Sequence, residues 1–161
     1  MNYYNEIKNK LIDNEIYKQV KDYSKNRNDL TTYYEVGRLL IEAQGGEKRA
    51  KYGDNLIKEY SIRLIKELGK KYNTTTLKRI RKFYLIIEKG ATVSHQLPWS
   101  NYVELIKLDK IEIINYYINI SINQNLSVRQ LREKIKSKEY ERLSDNTKNK
   151  LITNTKLEVQ D

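Results

Sequence analysis

The chain has 161 residues, with 31 Lys and Arg against 21 Asp and Glu and a formal net charge of +10. That length holds one domain with a real core, and that charge favours anionic partners, with nucleic acid first and an acidic protein or membrane surface behind it. With no cysteine, disulfides, thiolate metal sites and a cysteine nucleophile are excluded. Asn, Lys, Ile and Tyr are abundant together, as in products of AT-rich coding sequences, so where the cations sit carries more information than their total.

The start, MNYYNEIKNK, is charged and lacks an apolar h-region. No apolar run in the sequence approaches the roughly 20 residues that span a bilayer, so a cytoplasmic protein with no membrane partner is expected. Residues 3–25 place Ile7, Leu11, Ile16, Val20 and Tyr23 at steps of three to five, one apolar stripe on a polar helix. A second helix is predicted over 29–44, with Leu30, Tyr33, Tyr34, Gly37, Leu40 and Ile41 inward, and QGGEKRAKYG reads as a loop after it. A third spans 54–68 and turns Leu56, Ile57, Tyr60, Leu64 and Leu68 to the core.

Gly69 supplies the left-handed residue that ends this helix, KKY turns the chain, and Asn73 is the N-cap of the next. Tyr72 then falls at N′ and Leu77 at N4, the spacing of a hydrophobic staple. After the loop GATVSHQLP, Pro98 opens a short helix through Tyr102, Leu105 and Ile106. Asp109 and Glu112 form a D-x-x-E capping box for a helix to about 122, although IEIINYYINISI is rich in β-formers and competes as a strand. Ser127 and Gln130 make a second box that opens a last helix to about Leu143. The pattern predicts an all-α, multi-helix domain over 1–143 containing a helix-turn-helix-like unit at about 54–88. A polar linker or tail over 144–161 follows.

The basic charge concentrates in one place. Residues 70–82 carry Lys70, Lys71, Lys78, Arg79, Arg81 and Lys82 and no acid. At 100° per residue, Leu77, Ile80, Phe83, Tyr84 and Ile87 share one side of the fourth helix. Thr75, Lys78 and Lys82 point the other way, with Arg79 beside them and Arg81 near the apolar edge. Two helices around a glycine-containing turn, the second basic outside and hydroxyl-rich at its start, satisfy the outline of a helix-turn-helix. Thr74 and Thr75 would meet phosphates or base edges, with Lys70, Lys71, Lys78, Arg79 and Lys82 neutralising phosphates. The same outline also fits a solvated face in a lysine-rich chain. Arg129, Arg132, Lys134 and Lys136 form a weaker basic face on the last helix, where Glu133 is interspersed.

Catalytic motifs are missing. His95, the single histidine, has no cysteine or second histidine with which to share a metal, and a structural loop histidine accounts for it. Neither G-x-S-x-G nor a phosphate-binding glycine motif occurs, and the acids lie beside lysines at helix-surface spacing. No cofactor and no metal site is expected.

Four segments in order, TYYEVGRLLIEAQGGEKRAKYGDNLIKEYSIRL, YNTTTLKRIRKFYLII, SHQLPWSNY and NLSVRQLREKIKSKEYERL, resemble the N-terminal domain of the YhcG-type nuclease family of bacteria and phages. The resemblance runs from about Leu30 to Leu143. It implies a helical region that binds DNA, followed in the family by a metal-dependent PD-(D/E)XK nuclease half. That half is not expected here, because Pro98 is the sole proline and Trp99 follows it. The sequence stops at LEVQD, about where the nuclease half would begin, as an isolated domain or a natural truncation would. Three positions depart from the family pattern. Tyr34 and Leu126 stand where tryptophan is usual, keeping an apolar role, and Asn101 replaces a histidine that loop proton chemistry would need.

Two functions compete. The first is a non-catalytic DNA-binding module that targets a nuclease to duplex DNA. The second is a protein-interaction or homodimerisation module of a nuclease or restriction-type complex, working through the Tyr- and Ile-rich N-terminal helices.

Overall fold

A computed structural model describes residues 2–20, 25–47 and 54–151. Its elements are α1 (Tyr3–Val20), α2 (Lys25–Ala43), α3 (Asn55–Leu68), a 3-10 turn (Lys70–Tyr72), α4 (Thr74–Glu88), α5 (Trp99–Leu105), α6 (Ile111–Asn123) and α7 (Val128–Lys136). The fold is all-α, with no strand among the described residues. None of these helices is long and apolar enough to cross a membrane. The chain divides into two compact units, Met1–Lys89 and Gly90–Asp161.

In the first unit, α2 is the central element and packs against both α1 and α4. Its buried face is Leu30, Val36, Leu39, Leu40 and Ile41. Gly37 marks the crossing with α4. A Cβ added there would lie 2.6 Å from Tyr84 Cβ and 2.7 Å from the Ile80 carbonyl oxygen, so only glycine lets the two backbones approach this closely. On α4 the buried positions are Leu77, Ile80, Phe83 and Ile86. Ile86 therefore takes the inward place predicted for Ile87, which is half-buried, as is Tyr84.

The apolar stripe of α1 is shorter than its sequence suggests. Ile7 and Leu11 are fully buried, but the next inward position belongs to Asn14, whose amide donates to Asp29 Oδ1 of α2 at 3.0 Å. Ile16 is 57% exposed because five residues beyond Leu11 carry it about 140° round the helix. Val20 and Tyr23 lie outside the described side chains. On α3, Ile57, Tyr60, Ser61 and Leu64 are buried, while Leu56 and Leu68 lie at the margin. Tyr4 packs edge-on to Tyr60 at 5.5 Å and donates to Glu67 at 2.5 Å, which joins α1 to α3. Burial and that bond push the Tyr4 phenol up to about 12.

The second unit is organised by three buried polar side chains. Tyr102 of α5 donates to the Thr92 carbonyl and accepts from the Ser94 amide, both at 2.9 Å, and shapes the loop before the helix. Asn115 of α6 accepts from the Thr92 amide at 2.8 Å and donates to the Gly90 carbonyl at 3.1 Å. The Tyr117 hydroxyl accepts from the Tyr140 amide at 3.2 Å. Burial of Ile114, Tyr117 and Ile118 makes α6 a helix despite its β-forming composition. Apolar positions spaced at three and four bury one stripe of a helix, which outweighs residue propensity.

Two of the boundaries differ from expectation. The Asp109–Glu112 box does not form: Lys110 is the N-cap and makes no side-chain cap, so the predicted pairing of carboxylates with the helix start is absent there. The last helix ends at Lys136 rather than Leu143, with Lys138 at φ 56 turning the chain away. The Ser127–Gln130 box forms completely, with bonds of 3.1 and 2.9 Å. Residues 145–151 are helical, within the segment whose sequence lacks sustained periodicity.

Candidate nucleic-acid interface

The segment from α3 to α4 is built to hold its shape. Gly69 closes α3 at φ 125, a conformation costly for any residue with a Cβ, and its amide donates back to Leu64 and Ile65. The 3-10 turn that follows is fastened on two sides. Ser61 Oγ donates to the Tyr72 carbonyl at 2.9 Å, and the Tyr72 hydroxyl donates to Glu15 of α1 at 2.5 Å. Tyr72 is 3% exposed and its phenol is pushed far up by burial and by the Glu15 carboxylate. Asn73 then caps α4, its side chain accepting from the Thr76 amide at 2.9 Å. Tyr72 and Leu77 are both buried, as the staple positions require.

This scaffold turns the predicted residues outward in part. Thr75, Lys78 and Lys82 are exposed on one face of α4, Thr74 and Arg79 lie at its margins, and Lys70 and Lys71 are exposed in the turn. Lys70, Arg79 and Lys82 make no ion pair among the described residues. Lys71 pairs with Glu15 and its ammonium lies over the Tyr72 ring at 5.1 Å.

Tertiary structure brings an acid to the acid-free stretch. Asp54 occupies the N-cap position of α3 but makes no side-chain cap there. Its carboxylate instead meets Lys78 at 3.2 Å and Arg81 at 3.4 Å. Lys78 first, with Arg81 behind it, holds the Asp54 carboxyl below the usual carboxylate range. Arg81 is directed inward, 15% exposed, and also donates to Gln44 at 3.0 Å. Its guanidinium therefore ties α4 to both ends of the α2–α3 connection rather than extending the basic face. Neither Asp54 nor Glu15 is near 70–82 in sequence, so no local signal marked them.

In the second unit, Arg129 is the most open of the weaker candidates, 88% exposed with Glu133 at 3.7 Å. Arg132 is engaged: it donates to Glu104 of α5 at 2.9 Å. Glu104 is buried and also receives Lys107 at 3.1 Å, and Arg132 is the larger cause of its lowered carboxyl pKa. Arg132 is thus a clasp between α5 and α7. His95 is exposed in a turn, and no group of three potential metal ligands occurs among the described residues.

Residues 7–142 match the model of the DUF1016 N-terminal domain. The chain belongs to this family. It is also similar to the protein named "Putative nuclease YhcG" of Escherichia coli (strain K12), with 30% identity over 144 residues. The match covers 69% of this chain and 38% of that protein, so the chain spans well under half of the relative's length. No solved structure matches. The family domain runs across both compact units and includes the α3–turn–α4 segment and the Ser127–Gln130 box.

Proposed function

We propose that this chain is the DNA-binding module of a nuclease, non-catalytic by itself, with α3, the turn and α4 acting as a helix-turn-helix-like unit. The observation that carries the reading is the exposed row Thr75, Lys78 and Lys82 on a helix whose start is capped and whose turn is fastened on two sides. Such a helix enters the major groove by its first turn. Thr74 and Thr75 approach phosphates or base edges, while Lys70, Lys71, Lys78, Arg79 and Lys82 neutralise phosphates. The relative named as a nuclease supports the same partner.

The test is a duplex-DNA titration of the full chain at two salt concentrations. Non-specific affinity should lie around 10⁻⁴–10⁻⁶ M and weaken steeply with salt as counterions are released. The triple variant Lys78→Glu, Arg79→Glu, Lys82→Glu, with an unchanged helical spectrum, should lose duplex binding. Identical titration curves for wild type and variant would sink the assignment.

A second reading, self-association through the N-terminal helices, is favoured by the exposed aliphatic side chain of Ile16 on α1 (57%), in a unit that also exposes Ile62 on α3 (70%). Ile7 and Leu11 are core residues, so charging them would test stability instead. Light scattering of Ile16→Glu and Ile62→Glu is the discriminating measurement. A wild-type monomer at high concentration removes this reading.

A further inference from the structure

Within the second unit, the turn before α5, α5 itself, the end of α6 and the start of α7 line an open cleft of about 470 Å³. Asn101 and Ser121 line it from different helices. They are 2% and 1% exposed, yet the Asn101 Nδ2 amide and the Ser121 hydroxyl are buried without a hydrogen-bond partner. Buried polar groups are nearly always paired, and two unmet groups against one cavity call for a ligand that meets them.

The rest of the lining narrows the ligand. Gln96 and Asn125 add carboxamides, which both donate and accept, Gln130 adds its amide nitrogen while its oxygen is held by the Ser127 amide, and Leu97, Ile122 and Leu126 supply apolar walls. No charged side chain lines the cavity. A phosphate would find no cation within it and a metal ion no carboxylate. A neutral, flat group with a mixed donor–acceptor edge matches both the polar and the apolar parts.

We propose that this cavity receives an unpaired nucleobase, its edge met by Asn101 and Ser121 and its faces by the apolar walls. Carboxamides are suited to the donor–acceptor edge of a base, and a base withdrawn from its stack is held by edge contacts between apolar side chains. Arg129 follows the lining residue Val128 directly and is 88% exposed, which offers a cation to the backbone beside that base. The inference rests on the nucleic-acid reading above and refines it, from any duplex to one containing an unpaired base.

The test has two parts, both on the full chain. First, adenosine, guanosine, cytidine and thymidine are titrated while amide signals are followed by NMR; shifts centred on Asn101 and Ser121 are expected. Second, affinity is compared for a fully paired duplex and the same duplex with a single-base bulge. The bulged DNA should bind about tenfold more tightly. Ser121→Leu fills the cavity and should erase that preference while leaving affinity for the paired duplex unchanged. Gln96→Leu, at an exposed lining position, should reduce it without disturbing the core.

Equal binding of both DNAs with no nucleoside shifts overturns the base site, while salt-dependent duplex binding leaves the α4 interface standing. Nucleoside shifts without binding of either DNA support the cavity and remove the α4 interface. Shifts with a blocked asparagine amide, but with no nucleoside, overturn the assignment in favour of a peptide.

Discussion

The crossing of α2 and α4 at Gly37 gives a sharp stability test, Gly37→Ala. Two opposing terms set the outcome. In a helix interior, alanine is favoured over glycine by about 1 kcal/mol. Against that, the new methyl would stand 2.6 Å from Tyr84 Cβ and 2.7 Å from the Ile80 carbonyl oxygen. Carbon atoms pack comfortably at roughly 3.5–4.0 Å, so a shift of about 1 Å between the helices is needed. Neither neighbour can yield by changing rotamer, since one is a Cβ and the other is backbone. Overpacking of this kind costs about 1–3 kcal/mol, with the upper half expected here because backbone must move. The net effect is destabilisation by roughly 1–2 kcal/mol, which lowers Tm by roughly 2–8 °C for a chain of this size. Thermal and urea melts followed by far-UV circular dichroism measure it. Because α4 carries Thr75, Lys78 and Lys82, duplex affinity should fall as well under conditions where the variant remains folded. A Tm that stays unchanged or rises would refute the close approach and the argument built on it.

Three further outcomes follow from the charged and capping groups. Asp54→Asn removes the carboxylate that competes for Lys78 and leaves no helix cap lost, so duplex affinity at low salt should rise; affinity equal to wild type counts against Lys78 as a phosphate ligand. Glu104 has a folded pKa below its ordinary 4.5, so its contribution is complete above that value and fades as pH falls through 4.5 toward the folded value. Glu104→Gln should therefore cost about 1 kcal/mol at neutral pH and flatten stability over that acid range, as urea melts at stepped pH would reveal; an unaltered acid profile contradicts the clasp. Ser127→Ala removes the side-chain half of the α7 box and should cost about 0.5–2 kcal/mol in the melting of the second unit, with no change ruling out the box as a stabilising element.

Helix identity was largely legible because local rules specify it. Asn73, Ser127 and Gln130 act within three residues of their own backbone partners, so their caps form as read. The Asp109–Glu112 box had the same spacing and failed, since the chain enters that helix at Lys110 instead. Burial within a helix was less secure. Ile16 and Ile87 looked inward by approximate periodicity, but a deviation of one position was enough to carry each off the packed line.

The amino-acid sequence by itself determined the all-α class, the capped starts of α4 and α7, the family, and the clustering of cations over residues 70–82. These depend on composition, residue order and bonds between near neighbours. Only tertiary structure decided which of those cations face solvent alone. Asp54 at the start of α3 reaches Lys78 and Arg81, and Glu15 reaches Lys71 and Tyr72 from α1. In the second unit Glu104 takes Arg132 in the same way. Attraction between charges depends on distance in space, and folding brings together acids and bases that are far apart in the chain.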